Sequence, residues 1–198
     1  SIGAIWASCS PDFGKDSVLE RFGQIKPKIL FTVNGYQYNG KNYCKSEIIF
    51  ELVKELPSLL DVVVVPFIDD CEPELNSYTK WDDIMSIDAH LEFTPVEFND
   101  PIWVLYSSGT TGDPKAITHS HGGMLLEHLK YMTFHNDVRK GEKFFWYSTT
   151  GWMMWNFVNA ALLAGGTTVL YDGSAAYPDL NAMWKFADEI GMHHFGTS

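Results

Sequence analysis

"YSSGTTGDPK", residues 106–115, decides how this chain is read. Its ten positions hold two glycines, four Ser or Thr hydroxyls, a proline and a closing lysine, directly behind the apolar run "PIWVL" at 101–105. A short apolar run bounded by turn residues reads as a buried strand, and "KAITHS" at 115–120 reads as a second one. Between them, Gly109 and Gly112 let the backbone adopt φ > 0 and bring N–H groups close to an anion. The hydroxyls of Ser107, Ser108, Thr110 and Thr111 add donors that rotate to fit oxygens, and Lys115 supplies a counter-charge that Pro114 restricts. Hydrogen bonds to a charged partner contribute about 1.5–3 kcal/mol each, so three or four would hold a triphosphate. An ordinary Ser/Thr/Gly turn draws on the same residue types. It seldom strings S-S-G-T-T-G together and then fixes a lysine behind proline, so phosphate binding is the stronger reading.

Two familiar phosphate loops are excluded. A P-loop needs glycine immediately before the lysine and a hydroxyl after it, whereas Pro114 precedes Lys115 and Ala116 follows it. A dinucleotide fingerprint needs G-x-G-x-x-G between a strand and a helix, and none is present.

Working outward, strands and helices alternate. "GAIWASC" (3–9) reads as a strand and "DFGKDSVLERFGQI" (12–25) as a helix capped by Asp12 or Asp16 and closed before Pro27. "KILFTV" (28–33) is a strand, and "NGYQYNGKN" carries two Asn-Gly turn signals. "KSEIIFELVKELPSL" is an amphipathic helix stopped at Pro57. "DVVVVPF" (61–67), apolar on both faces, suits a central parallel strand covered by helices. Residues 69–100 are acidic and weakly periodic, an expected surface excursion with one short helix near 81–87. Beyond the loop, "GGMLLEHLKYMTF" is a helix and "EKFFWYST" a strand. "GWMMWNFVNAALLAG" is a helix apolar nearly all round and so expected deep in the core. "TTVLY", a helix ending at Gly191, and "MHHFG" complete the series. The fold class is α/β, with layered, largely parallel sheets flanked by helices.

The bulk properties bound the function. The chain has 198 residues, 45 % of them hydrophobic, and a formal net charge of −11, which argues against a nucleic-acid surface. No apolar run reaches the roughly 20 residues of a membrane span. Cys9, Cys44 and Cys71 form no C-x-x-C pair and read as free thiols of a reducing, cytoplasmic compartment. His119, His121 and His128 lack a placed carboxylate or cysteine to complete tetrahedral zinc, so no protein metal site is expected. The start on "SIGAIW" and the end on "HFGTS" read as a piece of a longer protein.

Tyr106–Lys115 resembles the signature of the adenylate-forming superfamily: Tyr/Phe/Thr, Ser/Thr, Ser, Gly, Ser/Thr, Thr, Gly, any residue, Pro, Lys, matched without a departure. Several further stretches resemble the acetoacetyl-CoA synthetase branch: "GAIWASCSPDFG" (3–14), "RFGQIKPKILFTV" (21–33), "HSHGGMLLEHLK" (119–130), "TTGWMMWNF" (149–157) and "LYDGSAAYPD" (170–179). The resemblance implies part of the large N-terminal AMP-binding domain over 1–198, with the C-terminal domain absent. It implies ATP, coenzyme A as thiol substrate, Mg2+ carried on the nucleotide, and a short acid such as acetoacetate, a ketone body of fatty acid metabolism. Ser107, Ser108, Gly109, Thr110, Thr111, Gly112 and Lys115 would bind the ATP phosphates. Lys115, Thr110 and Thr111 would also act in catalysis. By carry-over, Trp152, Met153, Met154 and Trp155 would line the acyl pocket beside a helix N-terminus that favours a carboxylate. On residue chemistry alone those four could equally be core. Later family motifs, an aromatic-G-x-T-E stretch, a T-G-D aspartate beyond the loop and a C-terminal lysine, do not occur. This piece alone is therefore expected to be inactive. Acetyl- or propionyl-CoA synthetase, and a non-catalytic nucleotide-binding module on the same fold, are the alternatives.

Overall fold

The computed structural model describes residues 1–107 and 112–197. In chain order the elements are β1 (Trp6–Ala7), α1 (Lys15–Ile25), β2 (Ile29–Val33), β3 (Gly35–Tyr38), β4 (Lys41–Cys44), α2 (Ser46–Glu55) and β5 (Asp61–Val65). There follow β6 (Thr79–Lys80), α3 (Trp81–Met85), β7 (Pro101–Ser107), β8 (Lys115–Ser120) and α4 (His121–Lys130). A π-helical turn over Tyr131–His135 extends α4. Then come β9 (Lys143–Trp146), α5 (Met153–Asn159) with a 3-10 turn over Ala160–Ala164, β10 (Thr167–Thr168), α6 (Ala182–Ile190) and β11 (His194–Gly196). Two compact units divide them: Ser1, Pro11–Phe93 and Tyr106–Ile117 form one, and Ile2–Ser10, Thr94–Leu105 and Thr118–Ser198 the other.

The first unit is organised by β5. Its burial follows from its composition: Val62, Val63 and Val64 are all buried, because a strand apolar on both faces must be covered on both. β5 pairs in parallel with β2 and with β6, giving the order β2-β5-β6. The two-residue β6 lies inside the acidic stretch, where periodicity gives no strand signal. α1 and α2 pack on each other and bury Val18, Phe22, Ile49 and Leu52. Neither Asp12 nor Asp16 caps α1. Gly14 holds the N-cap position, and Asp16 sits two positions further in, within the first turn, where a carboxylate favours the helix start.

Of the two Asn-Gly pairs only the second is a turn. Asn39 and Gly40, at φ 50° and 72°, close the antiparallel hairpin of β3 and β4. Gly35 instead opens β3 and answers to close approach: a Cβ there would sit 2.6 Å from the Tyr43 carbonyl oxygen and collide with the Ile68 side chain. Asn34 is buried, and its side chain is fully paired. Nδ2 donates to the carbonyls of Ile68 (2.7 Å) and Cys71 (2.9 Å), and Oδ1 accepts from the N–H groups of Phe67 (2.8 Å) and Ile68 (3.1 Å). These bonds gather the chain after β5 against the hairpin, and the free-thiol expectation fails here. Cys44, at the end of β4, and Cys71 are joined in a disulfide, their Cα atoms 5.7 Å apart, and Cys9 takes no part in it.

In the second unit the residues of β1 pair in parallel with the start of β7, Trp6 opposite Trp103 and Ala7 opposite Val104. A second sheet, β10-β9-β11, is wholly parallel. Its core gathers Met132, Val138, Phe144, Phe157, Val158, Ala160 and Ala161. Ser120 caps α4 by accepting from the Gly123 N–H at 3.2 Å, and Gly191 closes α6 at φ 64°. The segment expected deep in the core is only partly buried. Leu162 and Leu163 are exposed, because the helix tightens to a 3-10 turn after Asn159 and only Ala160 and Ala161 of that turn are buried. Phe98, from the acidic stretch, packs its ring where Gly122 would otherwise carry a Cβ, and its carbonyl accepts from the Gly122 N–H at 2.9 Å.

Candidate functional site: the loop between β7 and β8

Ser107 is the last residue of β7 and Lys115 the first of β8, so the two strands deliver the ends of the polar loop. Ser108, Gly109, Thr110 and Thr111 lie outside the described residues. Gly112 is exposed with open space where a Cβ would stand, and Lys115 is exposed. Both flanks of the loop are tied to α1. Tyr106 donates its hydroxyl to the Arg21 carbonyl at 3.1 Å, and the Arg21 guanidinium lies 4.9 Å from the centre of the Phe13 ring and 6.0 Å from that of Tyr106. One turn further along, Gln24 Nε2 donates to the Pro114 carbonyl at 2.7 Å, and its Oε1 accepts from the Ala116 N–H at 3.3 Å. Arg21 and Gln24, three residues apart on one helix face, were not found by sequence reasoning. Only a helix-face pairing with a loop some 90 residues away could have shown them.

The four acyl-pocket candidates separate. Met154 and Trp155 pack against the core of the second unit, while Trp152 and Met153 are 44 % and 47 % exposed. Trp152 is the N-cap of α5, which runs seven residues before the 3-10 turn. Its side chain accepts no capping hydrogen bond.

The histidines are placed by aromatic packing. His119 and His128 lie 6.4 and 5.6 Å from Trp103, and His128 also meets Phe157 edge-on at 6.4 Å. Burial holds the His128 imidazole below its ordinary pKa, with Glu127 pulling the other way and His119 adding to the depression. On β11, His194 Nε2 lies 2.9 Å from Glu142 Oε2, and this contact, followed by the Arg139 backbone N–H, holds the Glu142 carboxyl below the usual range. His193 is exposed, with its Nδ1 accepting from the Lys143 N–H at 3.1 Å. Among the described residues no three His, Cys, Asp or Glu side chains are grouped to hold a metal ion, and no helix is long and apolar enough to cross a membrane.

The fold and the sequence are shared with known proteins. The family model for AMP-binding enzymes matches residues 1–198, and the chain belongs to that family. Within it, acetoacetyl-CoA synthetases are similar throughout. The chain is 42 % identical over 206 residues to that of Gallus gallus and 44 % identical over 203 residues to that of Rhizobium meliloti (strain 1021). In both cases all of this chain is covered and 31 % of the relative, so the chain spans about a third of their length. The solved structure of acetoacetyl-CoA synthetase from Streptomyces lividans superposes with a TM-score of 0.94 at 48 % identity, covering 99 % of this chain and 30 % of that one.

Proposed function

We propose that the protein carrying this chain is an acid–thiol ligase. It would activate acetoacetate with ATP to acetoacetyl-AMP and pyrophosphate, then pass the acyl group to coenzyme A with release of AMP. One observation carries the reading. Lys115 stands exposed at the head of β8 with the backbone on both sides of it held by Gln24, in a segment that carries the family's full loop signature. The similarity to acetoacetyl-CoA synthetases supports the choice of acid.

In the first step a carboxylate oxygen attacks the α-phosphorus while the bond to the β-phosphate breaks. Nucleophile and target are both anionic, so catalysis is mainly positioning and charge stabilisation. Ser107, Ser108, Gly109, Thr110, Thr111, Gly112 and Lys115 would receive the phosphates, with Lys115 and the hydroxyls of Thr110 and Thr111 balancing charge on the departing pyrophosphate. Magnesium would arrive on the nucleotide, and the residues present fit an anion-receiving role. In the second step the thiolate attacks the acyl carbon and AMP leaves. Trp152 and Met153, with Met154 and Trp155 behind them, would bound a small and mostly apolar acyl site. A cytoplasmic location, where ATP and coenzyme A are available, accompanies this reading, and the Cys44–Cys71 disulfide, uncommon in a reducing compartment, is the feature that stands against it.

The test is Lys115→Ala in the full-length protein, with adenylation and thioester formation each followed in a single turnover. Losing one charged contact should slow adenylation roughly 10- to 100-fold and leave the second step within a few-fold. Equal slowing of both steps would remove the assigned role. Competition among acetoacetate, acetate and propionate identifies the acid. ATP binding without pyrophosphate release in the presence of any of these acids would mark a non-catalytic nucleotide-binding module.

A further inference from the structure

Thr150 is bound through two hydrogen bonds to Ser8 and Cys9, more than 140 residues away in sequence. The Ser8 hydroxyl donates to the Thr150 carbonyl at 2.5 Å, and the Thr150 hydroxyl donates to the neighbouring Cys9 carbonyl at 3.0 Å. All three residues are partly buried, so the bonds are sheltered from competing water. The same connecting segment is tied at its other end. The Tyr147 hydroxyl donates to the Gly173 carbonyl at 3.1 Å and accepts from the Ala175 N–H at 3.2 Å. The chain from β9 to α5 is thus held at Tyr147 and at Thr150, and just beyond Thr150 it delivers Trp152 and Met153.

Those two side chains are about half exposed, so packing alone does not determine where they stand. Their position comes from the backbone that leads to them, in which the Trp152 N–H donates to the Thr149 carbonyl at 3.1 Å. A shift of Thr150 would therefore carry Trp152 and Met153 with it. From this geometry we infer that Ser8 and Thr150 are positioning residues for recognition of the acyl group, setting the width of the site without touching the acid. The inference rests on the acyl-activating function proposed above and on Trp152 and Met153 bounding the acyl site.

The experiment uses the full-length protein and measures kcat and KM for the acid and for ATP. Thr150→Val removes the hydroxyl and keeps the shape, Thr150→Ser keeps the hydroxyl, and Ser8→Ala removes the other donor. The valine variant should raise the acid's KM roughly fivefold to tenfold, the effect of one lost hydrogen bond. It should also alter the preference between acetoacetate and acetate, with the KM for ATP within twofold of wild type. The serine variant should restore wild-type values, and Ser8→Ala combined with Thr150→Val should cost less than the sum of the two, as expected of one unit. Unchanged acid KM and acid preference in the valine variant, beside an active wild type, overturns the inference alone. So does a loss spread equally over both substrates that serine fails to rescue. A wild type that prefers a different acid shifts the expected rise to that acid's KM. A wild type that activates no short acid overturns the proposed function and this inference together.

Discussion

One amide brackets the loop lysine: Gln24 donates to the Pro114 carbonyl at 2.7 Å and accepts from the Ala116 N–H at 3.3 Å, so both neighbours of Lys115 are fixed to α1. Both bonds are exposed and add little to stability, about 1 kcal/mol or less each. Their effect belongs to position, because an ammonium on a flexible stem is placed only as well as its backbone.

Gln24→Ala should therefore leave the melting temperature nearly unchanged and raise the KM for ATP about threefold to tenfold, read by ATP–pyrophosphate exchange over a range of ATP concentrations. Gln24→Glu keeps the acceptor for Ala116 and loses the donor to Pro114, and should fall between alanine and wild type. An alanine variant with wild-type ATP dependence would detach Gln24 from the site.

Asn34 carries the opposite signature, structural rather than positional. Replacing it with alanine strands the N–H groups of Phe67 and Ile68 and the carbonyls of Ile68 and Cys71 at a residue only 6 % exposed. Unmet buried groups cost about 1–3 kcal/mol each before relaxation, so a net loss of about 2–4 kcal/mol is expected. Hydrogen exchange at the Phe67 and Ile68 amides should accelerate by more than tenfold. Unaltered exchange at both would show that the bonds are dispensable.

The parts of this fold legible in sequence are those fixed by neighbouring residues. Four consecutive valines in β5 announce a doubly covered strand, Gly191 a helix end, and Asn39–Gly40 a hairpin turn. What was illegible is decided at long range. Asn34–Gly35 has the same dipeptide as a turn, and only the Tyr43 carbonyl and the Ile68 side chain make it a close contact instead. The core alternative for the GWMMW segment was half correct, because helix geometry turns Met154 and Trp155 inward while Trp152 and Met153 stay exposed. The loop signature between β7 and β8 could be read from ten residues, yet the α1 side chain holding it could not.

The Cys44–Cys71 bond closes a separation of 27 residues, which by loop entropy corresponds to about 3–4 kcal/mol of local stability. Peptide mapping without reductant should return a linked Cys44–Cys71 peptide and an alkylated Cys9. Recovery of all three as free thiols from freshly isolated protein would restore the reading of idle cysteines in a reducing compartment. Reduction should raise hydrogen exchange first around Cys71, which is 4 % exposed and otherwise anchored through Asn34.

His128 makes the second unit sensitive to acid. Its imidazole lies between Trp103 and Phe157, and burial lowers its pKa below the ordinary 6.5. His119 opposes its charging and Glu127 favours it, but Glu127 is already engaged by Lys130 at 2.7 Å. The unfolded chain takes up a proton at His128 near pH 6.5 while the folded chain resists until a lower pH. The unfolded state thus binds more protons, and stability falls as pH drops from about 6.5 toward the depressed folded value; above 6.5 the residue contributes no slope. His128→Gln removes the titration. Urea midpoints of wild type and variant compared at pH 7.5 and 5.5 should therefore converge, or cross, on acidification, because only wild type pays this penalty. Parallel pH profiles would show that His128 charges as freely inside the fold as outside it, and would place the acid sensitivity elsewhere.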